Sequence, residues 1–197
     1  MAAMNADELF LASDAALRDV IDRLTPEQLA QGAPQEWTGQ TTDPTIRDVV
    51  AAHAYDEAWV PDVLAGRAVA DGDPWRGRDL LGDDPIAAYD ALHDTATAAV
   101  REHYDPDAVL HFQYGDYPAS EGLLHLATYR GFQSWLIAKH VGLPFRLPEA
   151  VVEGMKELVL PQAEMWREWG VFPPAIEPPA KADAETRLLC AVGYWHP

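Results

Sequence analysis

Thr45-Ile46-Arg47-Asp48-Val49-Val50-Ala51-Ala52-His53-Ala54-Tyr55-Asp56-Glu57-Ala58-Trp59-Val60 reads as an amphipathic helix. Ile46, Val49, Val50, His53, Glu57, Val60 and Leu64 recur at steps of three and four and so share one face. That apolar face should be buried, yet it carries a histidine and a glutamate one turn apart. Left bare in a core, such groups would cost a few kcal/mol, so each must be paired, hydrogen-bonded or metal-bound. For a lone histidine on an apolar stripe, the plain alternative is a satisfied core residue.

A second stretch has the same character. In Glu121-Gly122-Leu123-Leu124-His125-Leu126-Ala127-Thr128-Tyr129-Arg130-Gly131-Phe132-Gln133, helical steps align Glu121, His125, Tyr129, Phe132 and Leu136, with Gln133 at the edge. His53 and Glu57 from one helix with His125 from another would form a nitrogen-and-oxygen ligand set. Zinc, nickel or iron tolerates such a set, and bundles build metal sites this way, from facing helices.

Around these two helices the chain is punctuated by caps and breakers. A first helix is expected over residues 5–24, with Phe10, Leu17, Val20, Ile21 and Leu24 inward and Asp7, Asp14, Asp19 and Asp22 in water. Thr25-Pro26-Glu27-Gln28 has the pattern of a capping box for one short turn. The His53 helix should begin near Pro44 or Thr45 and stop at Gly66, with Pro61 kinking or ending its last turn. Residues 68–84 read as a surface loop, and Asp84-Pro85 starts a helix that ends near His103. Val109 to Gly115 alternates as an extended connector or minor strand without an obvious partner. The His125 helix should span 119–141, capped by Ser120 and stopped by Gly142. A further helix over 148–169 is interrupted by Pro161, a proline-rich strap follows, and a last helix covers about 182–192. Four long helices with almost no strand signal predict an all-α four-helix bundle, with accessory short helices and at most a minor strand pair.

Composition narrows the function classes. The 197 residues suit a single domain over 1–197, with 48% hydrophobic and 23% charged residues. A formal net charge of −18 argues against nucleic acid and against an anionic membrane, since both require a basic face. One cysteine, Cys190, permits no internal disulfide, and its apolar setting suggests an inert core thiol. The acidic start Met1-Ala2-Ala3-Met4-Asn5-Ala6-Asp7-Glu8 is unlike a signal peptide, and no stretch is apolar enough to span a bilayer, so a cytoplasmic address is expected. Monomer and homodimer both remain open. Glycine-rich phosphate loops, nucleophile elbows, paired-cysteine zinc signatures and His-Glu-x-x-His are absent. Most aromatic residues should be core, with Trp37, Trp59 and Trp75 candidates to line a pocket.

Leu24-Thr25-Pro26-Glu27-Gln28-Leu29, Trp37-Thr38, Ile46-Arg47-Asp48-Val49-Val50-Ala51-Ala52-His53 and Val63-Leu64-Ala65-Gly66 together carry a resemblance. They resemble the opening of the mycothiol-dependent maleylpyruvate isomerase N-terminal family, within the DinB/YfiT-like superfamily of metal-binding four-helix bundles. Leu136-Ile137-Ala138-Lys139-His140-Val141-Gly142 and Thr186-Arg187-Leu188-Leu189-Cys190-Ala191-Val192-Gly193 resemble the later helices of its uncharacterised actinobacterial branch. The resemblance implies a DinB-like bundle with a divalent metal, zinc or nickel, held by a histidine and an acid-x-x-x-His pair. It also implies thiol-dependent transferase or isomerase chemistry with a low-molecular-weight thiol. His53 matches the first ligand, but the pair falls on Tyr129 and Gln133, which are poor metal ligands. Either His125 is a relocated ligand, or the site is degenerate and His53 hydrogen-bonds to Tyr129 or Gln133 or pairs with Glu57. The degenerate version would be a non-catalytic, metal-free descendant that binds a small molecule or a protein.

Overall fold

The computed structural model describes residues 4–39 and 42–196; residues 1–3, with which the acidic start opens, lie outside it, as do 40–41 and 197. Four long helices form the body: α1 (Ala6–Ile21), α3 (Ile46–Leu64), α4 (Pro85–His103) and α5 (Ala119–His140). The short α2 (Pro26–Leu29) follows α1, and α6 (Glu149–Gly154), α7 (Ala163–Glu168) and α8 (Ala184–Ala191) complete the chain. α1 packs mainly on α5 and also on α4, and α3 packs on α4.

The helix ends follow the sequence chemistry. Thr45 and Asp48 close a capping box at the start of α3, Thr25 and Gln28 close one on α2, and Asp84 caps α4 ahead of Pro85. Gly66 and Gly142, at φ of 74° and 72°, close α3 and α5 in the left-handed conformation that glycine adopts freely. α3 continues through Pro61 to Leu64 rather than ending there. Ser120 lies inside α5, whose N-cap is Pro118 and has no side-chain cap. The expected break near Pro161 is present: after α6 come a π-turn (Met155–Val159) and a 3₁₀ turn (Leu160–Gln162) before α7.

The strand-like run does find a partner. β1 (Val109–Phe112) pairs antiparallel with β2 (Gly115–Pro118), in the register Val109 to Pro118 and Phe112 to Gly115. The hairpin lies against α5, where Gly122 leaves no room for a side chain. A Cβ there would sit 2.8 Å from the Phe112 ring and 3.0 Å from Leu110.

The core has two apolar parts. One holds Leu9, Phe10, Val60, Val100 and Leu123; the other holds Leu17, Ile21, Ile46, Val49, Tyr89 and Ile137. Between them each long helix contributes buried polar groups: Asp14 from α1, Glu57 from α3, His93 and Thr97 from α4, and Arg130 from α5. The bundle is therefore apolar at both ends and polar across its middle.

Candidate functional site

Arg130 is the centre of that polar layer and is fully buried. Its Nε–H donates to Glu57 Oε1 at 2.8 Å and to Asp14 Oδ1 at 3.1 Å, and its guanidinium lies 4.9 Å from the centre of the Phe10 ring. Two carboxylates share one cation in a dry interior. Burial outweighs the guanidinium's attraction, so the Glu57 carboxyl is pushed up to about 8, and Asp14 is raised as well. Thr97 Oγ1 donates to Asp14 Oδ2 at 3.3 Å, and His93 Nε2 lies 3.2 Å from the same oxygen. His93 Nδ1 meets Arg18 Nη1 at 3.2 Å. Because arginine only donates, the proton belongs on Nε2, which then donates to Asp14. Arg18 in turn pairs with Asp90 at 2.9 Å and Asp94 at 2.6 Å. A continuous chain of polar contacts thus runs from the surface to the bundle centre.

His53 lies in the same interior, fully buried. Its ring stacks on Tyr129 with centroids 4.6 Å apart and planes 28° apart. Neither ring nitrogen has a hydrogen-bond partner among the described residues, and neither does Gln133 Oε1 or Glu57 Oε2. Burial, aided by the Arg130 charge, lowers the His53 imidazole to about 3, so it is neutral. The expected hydrogen bond from His53 to Tyr129 or Gln133 is replaced by ring stacking, and Glu57 pairs with Arg130 instead of with His53. Asp14, expected in water, belongs to the core.

The metal reading can be tested against these groups. His53, Glu57 and His125 are not drawn together; among the described residues no group of three or more His, Cys, Asp or Glu side chains is placed to hold a metal ion. Glu57 is already engaged by a guanidinium, which would repel a second cation at the same oxygen. The three candidate ligands thus form no common ligand set among the described residues.

His125 lies elsewhere, in a wall of aromatic rings. It meets Tyr117 edge-on at 4.7 Å and Trp166 at 5.4 Å, and its Nδ1 lies 3.5 Å from the Tyr114 hydroxyl. Burial lowers its pKa, so it too is neutral at physiological pH. This wall bounds a cleft of about 1060 Å³. The hairpin contributes Tyr114 and Tyr117, α5 contributes His125, Tyr129, Phe132, Gln133 and Leu136, and the C-terminal segments contribute Trp166, Trp169, Phe172 and Tyr194. Pro34, Glu36 and Trp37 close the remaining side. In all, nine Trp, Tyr and Phe side chains line it. Of the α5 face read from the sequence, His125, Tyr129, Phe132, Gln133 and Leu136 form the floor of this cleft, and Glu121 lies outside it. His53 lies behind the Tyr129 ring and is not itself part of the lining.

Of the three tryptophans proposed for a pocket, only Trp37 lines it. Trp59 is core, and Trp75 donates from Nε1 to Asp62 on α3. The 68–84 loop contributes nothing to the lining; it is tied along α3 by Tyr55–Asp73 and Arg47–Gly82 hydrogen bonds. Cys190 is buried with its thiol pKa raised by burial, as befits a core residue. No helix among the described residues is long and apolar enough to cross a membrane.

Comparison with protein-family models, with curated proteins and with solved structures found no match for this chain.

Proposed function

We propose that the chain binds a small organic molecule in the aromatic cleft and does so without a bound metal. The observation that carries this reading is the cleft itself: a cavity of about 1060 Å³, lined by nine aromatic side chains. Ligand sites are typically concave and mostly apolar, with few polar groups, and a cavity of this size holds a drug-sized molecule. Tyr114, Trp169 and Val171 stand at it exposed by 60%, 58% and 50%, an apolar surface that a soluble chain ordinarily covers with a partner or ligand. Gln133, 6% exposed, lines the cleft and has an amide oxygen without a donor among the described residues.

The metal-dependent, thiol-using enzyme implied by the family resemblance would need Glu57 or a substitute free to coordinate. The guanidinium contact favours binding without metal. The acidic charge supports a partner that is neither nucleic acid nor an anionic membrane.

An uncharged naphthalene fluorophore titrated into chelator-treated, tag-free protein tests the reading. Saturable one-site binding is expected, abolished by Leu136→Arg, which places a guanidinium in the cleft. No saturable binding, or binding that Leu136→Arg leaves intact, would overturn it.

A further inference from the structure

We propose that the cleft's ligand is an uncharged aromatic molecule carrying a hydroxyl or N–H group, which donates a hydrogen bond to Gln133 Oε1 at the cleft floor. The inference rests on the reading that the cleft is a binding site and names the ligand's chemistry.

The cleft is graded from mouth to floor. Tyr114, Trp169 and Val171 stand exposed at its mouth, whereas Phe132, Trp166 and Phe172 are buried. The lining groups able to carry a charge are sorted the same way. Glu36 and His196 are exposed, and none of the lining residues is Lys or Arg. His125 is half-buried against the Tyr117 and Trp166 rings, where burial keeps its imidazole neutral. A charged group carried to the floor would lose its water and meet no counter-ion in the lining. A flat ring, by contrast, finds faces and edges to stack on throughout.

Two buried polar side chains of α5 remain in the lining, Thr128 and Gln133. Thr128 is satisfied: its Oγ1 donates to the Leu124 carbonyl at 2.6 Å. Gln133 is not. Its Oε1 is buried and accepts from no donor among the described residues. A buried amide oxygen without a donor has given up water for nothing, so a donor from inside the cleft restores what burial removed. Such an acceptor also selects, because an analogue lacking the donor leaves the oxygen unpaired again. The acceptor lies at the buried end and the exposed aromatic side chains at the other. The guest therefore enters with its O–H or N–H foremost and its ring system towards the mouth.

Four naphthalenes of similar size decide the matter: 2-naphthol, 2-methoxynaphthalene, 2-naphthoate and 2-naphthylmethylammonium, each titrated by calorimetry at pH 7. The naphthol should bind about tenfold tighter than its ether, the size of one neutral hydrogen bond, and both ions weaker than the naphthol. Gln133→Met keeps the length of the side chain and removes the acceptor. It should erase the preference for naphthol over ether while the ether and the uncharged fluorophore bind as before. Equal or tighter binding of the ether, tighter binding of either ion, or a preference that survives Gln133→Met overturns the inference while cleft binding of the fluorophore stands. So does a saturable fluorophore beside a naphthol that does not bind. If neither the naphthalenes nor the fluorophore bind, both readings fall.

Discussion

Arg130 is a buried cation shared by two buried carboxylates. Both Asp14 and Glu57 are fully buried and lean on its one Nε–H. Arg130→Met should therefore cost about 3–5 kcal/mol in urea unfolding, because it strands buried carboxylates. Replacing Asp14 and Glu57 by Leu and Met in the same chain should recover most of that loss; a single-variant cost below about 1 kcal/mol would show the guanidinium to be dispensable. The same cluster sets a pH dependence. Glu57 titrates near 8 folded against 4.5 unfolded, so between those values the folded state holds a proton the unfolded state has released. Stability from this group therefore falls as pH rises through that window. His53 works oppositely: at about 3 folded against 6.5 unfolded, it adds stability as pH rises towards 6.5. Above pH 6.5 the His53 contribution is complete while the raised Glu57 carboxyl still holds its proton in the folded state, so stability should fall towards pH 8 by on the order of 1 kcal/mol per pH unit. Denaturant titrations at several pH values would show this slope and its disappearance in Glu57→Gln. These residues were only partly legible. His53 and Glu57 stood out on an apolar stripe. Asp14 and Arg130 obey the same periodicity, four residues after Phe10 and three after Ala127, but a surface role is the ordinary prior for Asp and Arg, and it hid them. That an arginine on α5 meets acids on α1 and α3 depends on helix packing, which spacing within one helix does not encode.

The elements were read more completely than the contacts between them. Capping residues and glycine stops act locally, so Thr45, Asp84, Gly66 and Gly142 announce the helix ends without reference to the rest of the fold. The hairpin was half visible. Val109 to Phe112 alternates, but Gly115-Asp116-Tyr117-Pro118, with a glycine and a proline, carries little strand propensity; pairing and the apposition to α5 make it a strand. The hairpin depends on Gly122. Gly122→Val should push β1 off α5, costing about 1–3 kcal/mol in thermal or urea unfolding, as overpacking does. Because Tyr114 and Tyr117 move with the hairpin, the same variant should weaken fluorophore binding; unchanged stability and binding would mean that the hairpin is not seated as described. Pro161 was visible as a breaker, yet the π-turn begins before it at Met155, where α6 passes close over Gly131. That close approach is a tertiary effect.

At the scale of the molecule, the bundle keeps its polar chemistry and its cavity apart. The ion network fills the middle of the four helices, and the cleft lies outside it, between α5, the hairpin and the C-terminal segments. Tyr129 is the partition, with His53 stacked on its inner side and the cleft on its outer side. Composition and periodicity reach the all-α class and the α5 face of the cleft. They do not reach its far wall, because Trp169, Phe172 and Tyr194 come from irregular segments whose placement has no period, and Trp166 from the short α7 beside them. This division separates metal-free binding from metal-centred chemistry. Fluorophore titration of chelator-treated protein, repeated after addition of zinc or nickel, tests it most directly. Saturable binding of the same affinity with and without metal is expected, with no metal retained after dialysis. Binding that appears only when metal is added, accompanied by a stoichiometric ion lost in His53→Ala, would show that a metal and not Arg130 organises this bundle.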